Sequence, residues 1–183
     1  MQMNVLPKMD MFANTTGCCP RFDPKGWDGR KMHFEDKLFV RATTRSVLHV
    51  PVNMGRVFTR VQGHIDDAGA QGLDGYLVLS RDLSATKGEH LFAVTGAVPE
   101  EEMTTLSGDF ITRVFEGPYR KVPDWMHEME IAAKAIGHKA ERIYMFYTTC
   151  PKCARTYGEN YVVGIAQIDG DPEKIRRTDD EGS

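Results

Sequence analysis

"DFITRVFEGPYRKVPDWMHEM", Asp109 to Met129, changes its period in the middle. The first part, as far as Val122, is dense in β-branched and aromatic residues and predicts a strand. Pro123 and Asp124 then open a helix whose apolar side carries Trp125, Met129, Ala132, Ala133 and Ile136. Two further strands follow, "RIYMFYT" from Arg142 and "YVVGIAQI" from Tyr161. Tyr144 and Phe146 share one face of the first of these. The order is strand, helix, strand, strand.

The same order stands upstream. "KLFVRATTRSVLHVPV" begins at Lys37 and reads as a strand ending near Pro51. Asn53 caps a helix carrying Val57, Phe58, Val61, Ile65 and Ala68 at helical spacing, and Gly69 or Gly72 ends it. "YLVLS" (from Tyr76) and "HLFAVTGAV" (from His90) are strands joined by a polar loop around Ser84 to Gly88. Phe39 aligns with Asp109 and Leu91 with Tyr161, the same shift of 70 positions at both ends. Equal shifts point to a tandem duplication; two ordinary α+β segments of equal length are the alternative.

The expected fold is therefore α+β: a duplicated strand-helix-strand-strand module forming an antiparallel sheet with two helices on one face. Residues 37–168 form this domain, with repeats at about 37–100 and 107–168. Residues 1–36, rich in Pro and Gly, form an N-terminal arm, and the charged residues 169–183 a flexible tail. A ligand pocket is expected where the halves meet.

The chain has 183 residues, 41% hydrophobic and 27% charged, enough for one buried core. A net charge of −3 argues against general nucleic-acid binding. The segment before Lys37 is too short and too rich in Pro and Gly for a helix-turn-helix. No stretch has the length of a membrane span, and the first residues lack the apolar run of a signal peptide, so a cytoplasmic protein is expected.

Gly117, Pro118, Tyr119 and Trp125 resemble a motif of the GyrI-like small-molecule-binding family, the effector-binding fold of gyrase inhibitors, multidrug-sensing regulators and some hydrolases. There a strand ends in a Gly-Pro-Tyr-like turn, and the next helix carries a Trp about one turn in. The resemblance covers about Leu38 to Ile168 and implies the duplicated fold together with a small-molecule ligand. Many members meet cationic drugs with a glutamate in or near the last strands; this chain has only Glu159 at that edge. The cysteine stretches look like a bacterial branch loosely labelled hydrolases.

All four cysteines lie outside that motif, as the adjacent Cys18 and Cys19 and as Cys150-Pro-Lys-Cys153 in a loop between the last two strands. In a reducing compartment they read as a metal site or as thiol chemistry. Two thiolates two residues apart turn toward one centre, and four thiolates make a closed, structural Zn²⁺ site. Adjacent residues tend to point apart, so His33 could replace Cys18 or Cys19. The Cys-x-x-Cys also allows a redox couple, although "ARTYGEN" is too short for the long helix of thioredoxin-like proteins. Buried free thiols are the third alternative.

For ligand binding, Tyr119, Trp125, Trp27, Tyr144 and Phe146 are the candidates, with planar or apolar molecules expected. Packing inside the core is the competing role for each. The alternative function is a hydrolase in the same cleft, with Glu116, His49 or Tyr119 positioning water or donating a proton. By the repeat shift, His49 falls opposite Tyr119 and would flank the same cleft.

Overall fold

Two strands outrun the others and decide the architecture: β1, Lys31–Val47, and β5, Glu102–Glu116. A computed structural model describes residues 2–73 and 75–170 of the chain. After β1 come β2 (Val50–Pro51), α1 (Met54–Asp67), β3 (Val78–Ser84) and β4 (Lys87–Ala93). After β5 come a 3-10 turn (Tyr119–Lys121), α2 (Val122–Ala135), β6 (Ala140–Tyr147), α3 (Pro151–Tyr157) and β7 (Tyr161–Ile168). The fold is α+β, and every strand pairs antiparallel.

The sheet does not stay open. Its order runs β1-β4-β3-β6-β7-β5, and β5 pairs back onto β1 from Lys31↔Ile111 to Arg41↔Glu102. Closure removes both free edges and makes a six-stranded barrel. The two longest strands meet at the seam, with a bulge between Phe34 and Lys37 where Asp36 takes φ 47°. Phe34, Phe39, Leu79, Leu91, Phe110, Tyr144 and Phe146 fill the interior. Outside, α1 lays Val57, Val61 and Ile65 on Val40, Val78 and Phe92, and α2 lays Trp125, Met129 and Ala133 on Met145, Val162 and Ala166.

Several boundaries move from their expected places. β1 begins at Lys31, because residues of the arm complete the ladder to β5. It stops at Val47, where Leu48 and His49 turn with positive φ and Val50–Pro51 fold back on Ser46 and Val47. The β3–β4 loop shrinks to Ala85 and Thr86, since both strands run on through polar residues. At Gly117, φ +142° turns the chain beneath Trp125, a backbone state that favours glycine. Cys150-Pro-Lys-Cys153 lies in the first turn of α3 rather than in a loop. Pro151 at N1 and Gly158, with φ 72° at the C-terminal end, are the sequence signals for that helix.

The uniform shift of 70 does not survive in the ladders. Phe39 faces Ala93, whereas Asp109 faces Ile168, five residues beyond the partner that shift requires. The extra length sits in the β6–β7 connection, which holds α3 where the β3–β4 connection has two residues. No helix among the described residues is long and apolar enough to cross a membrane. Most of the expected tail, residues 171–183, lies outside the described residues.

On the outer face of the first half, His90 is buried under Phe58, with Nδ1 2.8 Å from Ser80 Oγ and Nε2 2.9 Å from Thr44 Oγ1. Burial pushes its pKa from the ordinary 6.5 down to about 4. The unfolded chain therefore takes up a proton that the folded one refuses between these values. Stability is expected to hold above pH 6.5 and to fall by roughly 3 kcal/mol as pH drops toward 4. Urea unfolding across that range should show the slope, and His90→Gln should flatten it.

Candidate functional site

The chain distance between the two cysteine pairs vanishes in the fold. The Sγ atoms of Cys18, Cys19, Cys150 and Cys153 all lie within 4.8 Å of one another. The adjacent pair does not diverge: Thr16 Oγ1 accepts hydrogen bonds from the backbone N–H groups of Cys18 (3.3 Å) and Cys19 (3.4 Å), and the two Sγ atoms stand 3.7 Å apart. A tetrahedron with Zn–S bonds of about 2.3 Å has edges of about 3.8 Å. Cys150 is the N-cap of α3 and Cys153 sits in its first turn, so one helix end aims both thiols at the arm. His33 is not part of the group; its Nδ1 is 2.7 Å from Asp109.

The surroundings treat the thiols unequally. The Cys150 N–H donates to Cys19 Sγ at 3.5 Å, and the Thr16 hydroxyl lies 3.3 Å from Cys153 Sγ. The hydrogen bond from Thr16 holds the Cys153 thiol down at about 7, whereas burial pushes Cys19 up. Thiols this close cannot all ionise alone, because each thiolate repels the next. A bound cation reverses that balance.

Further contacts fasten the arm around the cluster. Arg21 pairs with Glu159 at 3.0 Å, Tyr157 donates its hydroxyl to the Cys19 carbonyl, and the Val114 N–H donates to Asp28 Oδ1 at 2.9 Å. Phe22 and Trp27 are 4% and 0% exposed and pack on Phe146 inside the barrel. The arm is thus part of the core.

The other candidates scatter. Trp125 stacks on Phe115, centroids 5.3 Å apart, in the seam beneath α2. Trp27, Tyr144 and Phe146 belong to the barrel interior. Tyr119 meets Tyr147 edge-on and donates to the Thr149 carbonyl at 3.2 Å, one residue before Cys150. His49, in the β1–β2 turn, holds Asp82 at 2.8 Å. Glu116 is exposed at the end of β5, beside Tyr161. No hydrogen bond links any two of Glu116, His49 and Tyr119 among the described residues.

At the barrel end away from the cysteines is a cavity of about 120 Å³. Arg41, Arg81, Glu89 and Leu91 line it from the first half, and Thr104, Thr105, Leu106, Arg142 and Tyr144 from the second. Burial pushes the Glu89 carboxyl up, but hydrogen bonds from Arg81 and Arg41 outweigh this and hold it below the ordinary range. Apart from Tyr144, the sequence reading missed these residues. Their signal was a charged residue at an inward position of each of several strands, visible only once the register is known.

Comparison with known proteins gives the family. A family model described as "Bacterial hydrolase" matches residues 9–168, most of the chain. The chain belongs to the bacterial hydrolase family. The matched range takes in both cysteine pairs, so the arm from residue 9 is part of what defines this family member. No curated protein matches. Two solved structures share the fold. An uncharacterized conserved protein from Listeria innocua has a TM-score of 0.54 at 9% identity, covering 78% of this chain and 92% of its own. SAV2435, solved bound to tetraphenylphosphonium, has a TM-score of 0.50 at 12% identity, covering 78% and 94%.

Sulfur atoms this close can form disulfides once any metal is stripped. Mild oxidation of chelated protein is expected to link Cys18 or Cys19 to Cys150 or Cys153, giving one cross-linked peptide pair by mass spectrometry. Recovery of only unlinked peptides would contradict the clustered arrangement.

Proposed function

We propose that the four cysteines hold a structural Zn²⁺ ion and that the barrel it steadies binds a small molecule where its two halves meet. The approach of four sulfurs from two distant segments carries the first part. Four thiolates satisfy a tetrahedral ion completely and leave no open position for water, which fits a structural and not a catalytic metal. The ion would join the arm to α3 and so keep Phe22 and Trp27 seated in the barrel.

Support for the second part comes from the cavity lined by both halves. The two halves repeat the same element order, with α3 inserted in the second, and we take them as copies of one GyrI-like module. SAV2435, of the same fold, is bound to tetraphenylphosphonium in its solved structure. At about 120 Å³ the cavity holds only a small group, well below the ~300 Å³ at which drug-sized pockets begin. The family description favours hydrolysis of the bound molecule as the second reading.

Protein purified without added metal is expected to carry one zinc per chain, and Cys153→Ser to abolish it and lower the melting temperature. Metal-free protein, or iron with visible absorbance, would refute the assignment. Protein isolated free of metal with these cysteines already in a reversible disulfide would favour the redox alternative. For the ligand, a thermal-shift screen of small organic molecules is expected to yield stabilising compounds, since binding to the folded state alone raises its stability. Hits unaffected by Arg142→Ala would place the ligand elsewhere.

A further inference from the structure

Inward-facing positions of five strands change character at one end of the barrel. Phe39, Leu79, Leu91, Leu106 and Tyr144 belong to the apolar interior. Two residues away on the same strands stand Arg41, Arg81, Glu89, Thr104 and Arg142, on the same face because strand side chains alternate. β6 runs from this end toward Thr149 and Cys150, so the charged end and the cysteine cluster lie at opposite ends of the barrel.

Part of this charge explains itself. Glu89, its side chain 7% exposed, accepts Arg41 Nε on one oxygen and Arg81 Nε on the other, both at 2.7 Å, and Arg41 Nη1 also reaches Glu102 at 3.3 Å. Two features are left over. Arg142 has no ion-pair partner among the described residues, so the cavity wall carries three guanidinium groups and one carboxylate, Glu89, with Glu102 outside the wall pairing Arg41. Tyr144 is 1% exposed, its ring lies under the Arg81 guanidinium, and its hydroxyl has no hydrogen-bond partner among the described residues. A buried donor without a partner costs about 1–3 kcal/mol. A structural arginine–glutamate bridge requires neither the third arginine nor this hydroxyl.

We propose that this cavity binds an oxyanion, the carboxylate or phosphoryl group of a small molecule, with Arg41, Arg81 and Arg142 as its cationic wall and the Tyr144 hydroxyl as a donor. The proposal rests on the reading that the ligand enters between the two halves, and it names that ligand's charge. Guanidinium groups meet carboxylate and phosphoryl oxygens with paired N–H donors. The cavity of about 120 Å³ has room for such a group, one water needing only ~10–15 Å³ by the same kind of measure. Arg41 and Arg81 are set into the recess, where the field is focused, and the unpaired Arg142 stands exposed beside them. The apolar residues Leu91 and Leu106 at its wall suit the organic remainder of the molecule.

The test is titration of the full chain with inorganic phosphate and with acetate at constant ionic strength, followed by two-dimensional NMR, with tetraphenylphosphonium as the cationic probe. Saturable shifts of residues on β1, β3, β4 and β6 are expected with at least one anion. Each of Tyr144→Phe and Arg142→Ala should weaken the binding about tenfold. Tyr144→Phe removes an oxygen that has no partner among the described residues, and Arg142 is exposed, so both variants should keep the wild-type melting temperature. The tighter of phosphate and acetate tells a phosphoryl ligand from a carboxylate. Linear shifts common to all salts, or saturable binding equal in both variants, would overturn the proposal. Shifts of the same strands by tetraphenylphosphonium and by neither anion would overturn the oxyanion while leaving the pocket between the halves. No response of these strands to any probe would remove both.

Discussion

Pairing of β1 with β5 closes the sheet, and a closed sheet has an interior that must be filled. Six strands enclose a space in which every inward side chain competes for volume, and protein interiors tolerate few voids. The strands supply Phe34, Phe39, Phe110, Tyr144 and Phe146, and the arm supplies Phe22 and Trp27. Burying one Trp removes about 150–250 Å² from water, an upper estimate of roughly 4–6 kcal/mol. That burial makes the arm structural, although residues 2–30 have no regular secondary structure apart from one bridge to His33.

Closure also gives the barrel two unlike ends. At one, the arm and α3 meet through four thiols, and Arg21, Phe22, Tyr157 and Glu159 close over the strands with no room left for a water. At the other, the inward positions become Arg41, Arg81, Glu89 and Arg142, and a cavity remains. A metal at the first end would stiffen the plug of aromatic residues against which the second end is built. Tyr144 and Phe146, two residues apart on one face of β6, connect the two: Phe146 packs on Trp27, and Tyr144 lines the cavity.

Much of the second half was legible in "DFITRVFEGPYRKVPDWMHEM", because helix and strand periods are local. Trp125, Met129 and Ala133 face the sheet as their spacing predicts, and Gly117 turns the chain as the motif implies. The four cysteines could be grouped from their number and pairing alone. Their actual approach depends on Thr16 bending the Cys18–Cys19 backbone and on α3, whose Pro151 and Gly158 signals were outweighed by its short length. Roles assigned by residue type fared differently. Trp27 and Phe146 became core, and His49 and Glu116 came to rest on separate surface features.

By itself the sequence determined the two long helices, most of the strands and their order, the buried centre of each helix's apolar face, and the four thiols as one chemical group. These follow from propensity, periodicity and composition, which act over a few residues. The tertiary structure decided that the sheet closes, that the arm lies inside it, and that three arginines and Tyr144 line one recess. Register and closure join residues such as Arg41 and Glu102, or Cys19 and Cys150, that no local pattern relates. Which face of a strand looks inward, and what stands across from it, is a property of the closed ladder as a whole.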